Sequence, residues 1–262
     1  AGDGRLDAQF LAHVRADPEA FGQLSSEFRL ALYRRHGARI GEGAVLGAGT
    51  VLLVERLVLG ARAFFGPDCR VEARELVAGE LLHLGPRCRV RCRRLAFGDN
   101  AFFAEDIEIG GGGAFDPEAE LVVGSHGFVG EHAHLNPCRP IRLGDEVVIS
   151  RRAALMTHSF GASVLLGYPN RFAGIELGER AQVGIHAVLF PGVTVGAGAI
   201  VLSGSSVVSD VPPGRLFGGV PAVDLKAAAR PLGPEELFTR ARELVQEFAR
   251  QQGEAVERRP VP

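Results

Sequence analysis

The stretch IELGERAQVGIHAVLFPGVTVGAGAIVLSGSSVVSDVPPGRLFGGVPA, from Ile175 to Ala222, sets an aliphatic residue at nearly every sixth position, often with a small one after it. The sixth positions read Leu177-Gly178, Val183-Gly184, Leu189-Phe190, Val195-Gly196, Val201-Leu202 and Val207-Val208. A period of six is too long for the alternation of a half-buried strand and wrong for an amphipathic helix. It is a hexapeptide repeat, the pattern of a parallel β-helix.

The repeat continues upstream in a longer unit. Ile40, Leu59, Ala78 and Phe97 stand 19 residues apart, each followed by glycine, and Phe65-Gly66-Pro67-Asp68-Cys69-Arg70-Val71 returns as Leu84-Gly85-Pro86-Arg87-Cys88-Arg89-Val90. Val123-Gly124, Leu143-Gly144 and Leu177-Gly178 then follow after steps of 26, 20 and 34 residues. The two long steps mark insertions, one around Gly110–Pro117 and one from Ser159 to Gly174, both expected to protrude. In each coil the aliphatic residue should point inward and the small residue should fit a tight corner. Roughly nine coils fit between Arg39 and Pro212, and their ends need caps.

Helical spacing flanks the repeat. Leu6, Phe10, Leu11 and Val14, then Phe21, Leu24, Phe28 and Leu32, predict two helical segments broken near Asp17-Pro18. Pro234-Glu235-Glu236 starts an amphipathic run through Leu237, Ala241, Leu244, Val245 and Phe248, and the tail from Gly253 reads as disordered. The expected organisation is a helical cap over 1–38, a β-helix over 39–222 with the inserted loop 159–174, and a C-terminal helix with a flexible tail over 223–262.

Composition narrows the functional classes. The chain has 262 residues, 46% of them hydrophobic, a net charge of -2 and no basic stripe, so a nucleic-acid partner is not expected. No run of about 18 apolar residues and no signal peptide is seen, which predicts no membrane association and a cytoplasmic protein. Of the four cysteines, Cys69 and Cys88 occupy equivalent positions one coil apart, and Cys88 and Cys92 match no strong zinc spacing. Cys69, Cys88, Cys92 and Cys138 are therefore read as wall residues.

His158 lies where a regular coil gives way to the longer insertion. A neutral imidazole there can act as a general base near neutral pH, a role worth roughly 10²–10⁴-fold in rate. The plain alternative is an exposed corner histidine without a role.

From Leu143 to Ala222 the chain resembles the left-handed β-helix acyltransferases of the hexapeptide-repeat superfamily, which include maltose, galactoside, nodulation-factor and colanic-acid O-acetyltransferases. The resemblance is carried by Leu143-Gly144-Asp145-Glu146-Val147-Val148-Ile149-Ser150, by Thr157-His158 ahead of a loop, and by Ile175–Ala222 with Asp210-Val211-Pro212-Pro213 and Gly218-Gly219-Val220-Pro221-Ala222. It implies an all-β, left-handed parallel β-helix, sites shared between subunits of a homotrimer, and an acyl-CoA donor, acetyl-CoA above all. It implies that His158 is the catalytic base and that Asn136 is a polar site residue, against the simpler reading of Asn136 as a turn residue beside Pro137. No metal is implied.

The same resemblance places pantetheine along small or main-chain-exposing positions such as Gly184, Ile185, Ser203 and Gly204. The cations that family members use on the CoA phosphates are replaced by Ser209 and Val223, leaving Lys226, the one lysine of the chain, near that end. A carrier-protein phosphopantetheine is accordingly an alternative donor. Ser159 follows the histidine where aspartate or proline is common, so the group that orients His158 is unassigned. His134, Tyr168, Asn170 and Arg171 are candidates for holding a small-molecule acceptor, expected to be a hydroxyl of a sugar or other metabolite rather than an amine.

Two other classes share the scaffold. A γ-class carbonic anhydrase would use histidines, and His126, His132, His134 and His158 are available, but no two histidines have the His-x4-His spacing of that family. His132 and His134 alternate and would face one side of a strand, with His126 at a neighbouring corner. A non-catalytic scaffold is the third class, and a histidine at the loop edge argues against it.

Overall fold

The computed structural model describes residues 3–111, 116–159, 167, 170–227 and 234–257. It divides into two units, Ala1–Ala228 and Ala229–Pro262.

The first unit is a left-handed parallel β-helix of about nine coils, with three faces. One face stacks Arg39–Ile40, the second halves of Val51–Leu59 and Arg70–Ala78, then Arg94–Phe97, Glu120–Val123, Ile141–Leu143, Ile175–Leu177 and Thr194–Val195. A second runs from Val45–Leu46 through Phe64–Phe65, His83–Leu84, Phe102–Phe103, Phe128–Val129, Val148–Ile149, Gln182–Val183 and Ile200–Val201 to Arg215–Gly219. The third, which carries the candidate site, stacks the start of Arg70–Ala78 on Arg89–Arg91, Glu108–Ile109, His134–Asn136, Ala154–Met156, Val188–Leu189 and Ser206–Val207. Each coil places one aliphatic row inside: Val71, Val90, Ile109, Leu135, Leu155, Leu189 and Val207 are all buried. Burial of such rows against the coils above and below is what holds the stack.

The small residue after each aliphatic one has a different job from the one its sequence position suggests. Positive φ at the corners falls mainly on other, non-glycine residues, among them Arg62, Leu81, Asn100, His132 and His186. Gly60, Gly79, Gly98 and Gly178 have no positive φ. They are small because the next coil passes so close: a Cβ on Gly178 would lie 2.6 Å from Ala197 N. His132 shows the same geometry, a left-handed corner residue (φ 57°) before the strand that starts at His134, so the two histidines do not share a strand face as their alternation suggests.

Three helices cover the open N-terminal end: α1 (Ala8–Ala16), α2 (Pro18–Gly22) and α3 (Ser26–Arg35). Asp7, Asp17 and Ser25 cap them by accepting from the amides of Phe10, Ala20 and Phe28, so the chain breaks at Asp17 as expected and once more before Ser25. The first coil has no coil before it to take its backbone bonds. Instead α3 supplies them. Tyr33 Oη donates to Leu52 O (2.9 Å) and accepts from Leu52 N (3.0 Å), Ser26 Oγ accepts from Leu46 N, and the buried Arg29 guanidinium donates to the carbonyls of Leu46, Gly47 and Thr50. At the other end Arg215–Gly219 pairs antiparallel with Ala222–Ala227. That hairpin closes the C-terminal end of the stack.

In the second unit α4 spans Pro234–Glu257 and continues through Gly253, where disorder was expected. Phe238, Leu244, Val245 and Phe248 on it are exposed. No described helix is long and apolar enough to cross a membrane.

Candidate active site

Both interruptions of the repeat arrive at one place on the third face. The longer insertion leaves the coil as a hairpin in which His158 pairs with Phe172 and Ser159 with Arg171. Coil stacking resumes beyond it without a slip, Ile141 opposite Ile175 and Leu143 opposite Leu177. The earlier insertion returns through Asp116 and Glu118, whose carboxylates lie 3.1 and 3.3 Å from the Arg139 guanidinium. Arg139 in turn sits over the Phe172 ring, 5.3 Å from its centroid.

His158 is half-buried at the base of that hairpin, its ring stacked on Phe172 at 6.0 Å between centroids. Its Nδ1 is 3.4 Å from Cys138 Sγ. Burial, and secondly the neighbouring His134 ring, hold the imidazole below its ordinary value of 6.5. Both causes disfavour the charged ring, so His158 is a neutral proton acceptor at pH 7.

His134 and Asn136 stand two residues apart on the adjacent strand. His134 Nδ1 is 3.3 Å from Glu108 Oε2 on the preceding coil. Asn136 is 4% exposed, covered by the glycine turn at 110–111, and a Cβ on Gly111 would lie 2.5 Å from its Nδ2. Its Oδ1 has no hydrogen-bond partner among the described residues. A buried carbonyl oxygen left without a donor costs about 1–3 kcal/mol, and a water or another donor would complete it.

The other candidates fall in three places. Arg171 is exposed, with its guanidinium against the corner at Gly192, and Asn170 is exposed just before it. Tyr168 lies outside the described residues, as does the side chain of Lys226, whose backbone pairs with Leu216. Gly184, Ile185, Ser203 and Gly204 meet at one corner, where Ser203 Oγ accepts from Ile185 N (3.2 Å) and Gly204 N donates to Ile185 O (2.7 Å). Those main-chain groups are used within the corner, leaving the exposed Ile185 side chain and the open face of Gly204 as surface. That corner precedes the strands of the third face, whereas His158, Gly192 and the exposed Ser209 follow them, so one chain sets the two groups on different edges.

Sequence reading did not find Cys138, Arg139 or Phe172. Cys69, Cys88 and Cys92 are buried wall thiols as expected, and burial lifts Cys92 to about 11. Cys138 is equally buried but reaches His158. The signal for it was positional, since it stands in the one coil that borders both insertions. Among the described residues no three histidine, cysteine or acidic side chains gather to hold a metal. His126 instead meets Asn100 (3.1 Å) and His132 faces Asp106 (4.0 Å) at separate corners.

A groove of about 610 Å³ opens on the same face, with α2 residues Pro18 and Glu19 at one wall and Gly110–Gly111 at the other. Its floor is the outward row Arg70, Arg89 and Glu108, which continues in register to His134.

No family model matches the chain. YvoF of Bacillus subtilis (strain 168), a candidate acetyltransferase, is 30% identical over 81 residues, covering 31% of this chain and 44% of its own. A candidate acetyltransferase of Schizosaccharomyces pombe is 28% identical over 119 residues, 43% of this chain and 56% of its own. The 2,3,4,5-tetrahydropyridine-2,6-dicarboxylate N-acetyltransferase of Staphylococcus aureus (strain Newman) is 36% identical over 74 residues, 28% and 31% of the two chains. The chain thus spans 31% to 56% of the length of these relatives. Among solved structures, the Bacillus cereus N-acyltransferase AntD in complex with dTDP and 3-hydroxybutyryl-CoA gives a TM-score of 0.45 at 20% identity, over 61% of this chain and 81% of that one. The polySia-specific acetyltransferase NeuO gives 0.45 at 18% identity, over 81% and 93%.

Proposed function

We propose that this chain, which belongs to the hexapeptide-repeat acyltransferase superfamily, moves an acetyl or other short acyl group from a CoA thioester to a hydroxyl of a sugar or small metabolite. The observation that carries the reading is His158: a half-buried imidazole held neutral at the meeting point of both insertions. In the proposed reaction His158 takes the acceptor proton as the acceptor oxygen attacks the thioester carbonyl. The Asn136 amide donates to the oxyanion that forms, a contribution of the kind worth about 10²–10³-fold. Collapse breaks the C–S bond, and the imidazolium proton goes to the leaving thiolate, giving ester and free thiol.

The groove floored by Arg70, Arg89 and Glu108 supports an elongated, hydroxyl-rich acceptor laid along the face toward His134. Coils repeat about every 4.8 Å, so the three steps from Arg70 to His134 span roughly 14 Å. The donor corner at Gly184–Gly204 lies on another edge from His158, which suits a homotrimer in which each site draws on two copies, and the exposed apolar residues of α4 also favour self-association. Acyl carrier protein remains the alternative donor, since Ser209 and Val223 offer no charge to a nucleotide phosphate.

The test is free-thiol release from acetyl-CoA, longer acyl-CoAs and acyl carrier proteins with a panel of sugar acceptors. Turnover by the wild-type chain that disappears in His158→Ala, with the circular-dichroism spectrum and oligomeric state kept, is the expected result. Undiminished turnover in that variant overturns the mechanism.

A further inference from the structure

We infer that the Cys138 thiol fixes the tautomer of His158, placing the proton on Nδ1 and leaving Nε2 the basic nitrogen, a positioning role whose catalytic meaning rests on the acyl-transfer reading above. The order of hydrogen bonds follows from the donors present. The Thr157 hydroxyl has one proton, which it gives to the Asn136 carbonyl oxygen at 2.5 Å. Its oxygen meanwhile accepts the Arg139 amide at 3.1 Å. Cys138 Sγ lies 3.2 Å from that same hydroxyl oxygen and 3.4 Å from His158 Nδ1.

With the hydroxyl proton committed to Asn136, the contact between Cys138 and Thr157 is a hydrogen bond only if sulfur donates. A thiol has a single proton. Toward His158 the sulfur is therefore the acceptor, and Nδ1 carries the hydrogen. The chain of donation runs from His158 to Cys138, to Thr157, to the carbonyl of Asn136, so the residue holding the base is tied to the strand that presents the candidate oxyanion donor. A histidine base is commonly held by a carboxylate or a carbonyl, and which nitrogen stays basic depends on that partner. Here the contact is to a sulfur, Cys138 Sγ. Cys138 is 2% exposed, so the thiol is not presented to a substrate as a nucleophile.

The test reads the tautomer directly. Long-range ¹H–¹⁵N spectra of the ¹⁵N-histidine-labelled full chain are recorded above the titration range of the ring, with His158 assigned by its loss in His158→Gln. The wild type is expected to show Nδ1–H. Cys138→Ser, which keeps one donor and an acceptor, should retain that pattern, and Cys138→Ala should release it to a mixture. Thr157→Val takes away the acceptor of the S–H, so the thiol should turn to Nδ1 and drive the ring to Nε2–H.

A wild-type ring in the Nε2–H form, or one tautomer common to wild type, Cys138→Ala and Thr157→Val, overturns the inference. Should Thr157→Val not fold, the Ser and Ala variants of Cys138 decide it alone. In turnover, kcat of Cys138→Ala should fall about 10- to 100-fold with the acceptor KM unchanged, and Cys138→Ser should recover most of it; equal kcat in wild type and Cys138→Ala counts against the role. If the tautomers behave as expected and no thioester donor is consumed, the acyl-transfer reading fails while the role of the thiol stands.

Discussion

Tyr33→Phe removes one oxygen atom and changes little in shape, yet it should loosen the first coil. Tyr33 is fully buried, and its hydroxyl serves both backbone groups of Leu52, as a neighbouring strand would. Without it, one N–H and one C=O lose their partners in the interior. Each such group costs about 1–3 kcal/mol, and slight relaxation at the end of the stack keeps the sum near the lower half, about 2–4 kcal/mol. Coils touch only their neighbours, so the loss should appear as local opening rather than as a uniform fall in stability.

Hydrogen exchange is the suitable assay. Val45 and Val51 donate to Ala63 and Cys69 of the next coil, bonds that the substitution leaves intact, so their amides report opening of the first coil. At 1.4 kcal/mol per tenfold, they should exchange roughly 30- to 700-fold faster, while Val188 in the distant coils stays unchanged. Exchange at Val45 and Val51 within about threefold of wild type, or equal acceleration at Val188, would refute the idea that α3 substitutes for a missing coil.

Activity should fall as pH drops below 6.5 with a midpoint displaced to the acid side, because burial and His134 depress His158; a pH–kcat/KM profile in the free enzyme reads this, and a limb displaced above 6.5 contradicts it. Among the described residues, His134 acts on that limb electrostatically and Cys138 Sγ lies 3.4 Å from the ring. The sign for stability is the same: a histidine depressed on folding contributes stability above its unfolded value of 6.5 that is lost as pH falls through the lower folded value, measurable by urea unfolding at stepped pH. Asn136→Ala should forfeit part of the roughly 10²–10³-fold due to an oxyanion donor, visible as lower kcat with the circular-dichroism spectrum kept; unchanged kcat would remove Asn136 from the site. Leu81→Asn, at an exposed corner with φ of 59°, should raise stability by about 0.5–1 kcal/mol in thermal unfolding, since asparagine tolerates that conformation better. A lower melting temperature for this variant would argue against strain at the corners.

The repeat was readable because it is enforced one residue at a time: every aliphatic position such as Val71 or Leu135 must match its neighbour one coil away. The glycines after them were readable too, but their cause was not, since sequence separates a residue that needs positive φ from one crowded by the next coil only when the stacking is known. Leu81 and Arg62 carry the left-handed corners instead. His158 could be singled out from the break in rhythm. Its surroundings could not, because Cys138 and Phe172 meet it, and Arg139 meets Phe172, only where two insertions of different origin in the chain are brought together. The end cap was expected as helices but not as a set of donors, for nothing in the spacing of Arg29 and Tyr33 tells that they aim at backbone.

The unbroken register across the longer insertion separates two kinds of selection. Ile141 stacks on Ile175 across 34 residues as faithfully as Leu121 stacks on Ile141 across 20. Closing a longer loop adds only about 0.6 kcal/mol for each doubling of its length. The stack is therefore nearly indifferent to what is spliced into its corners, and the segments around His158 are free to vary in length and composition without renegotiating the core. A chain built this way can lengthen or exchange two surface segments while the spine that aligns them is kept intact.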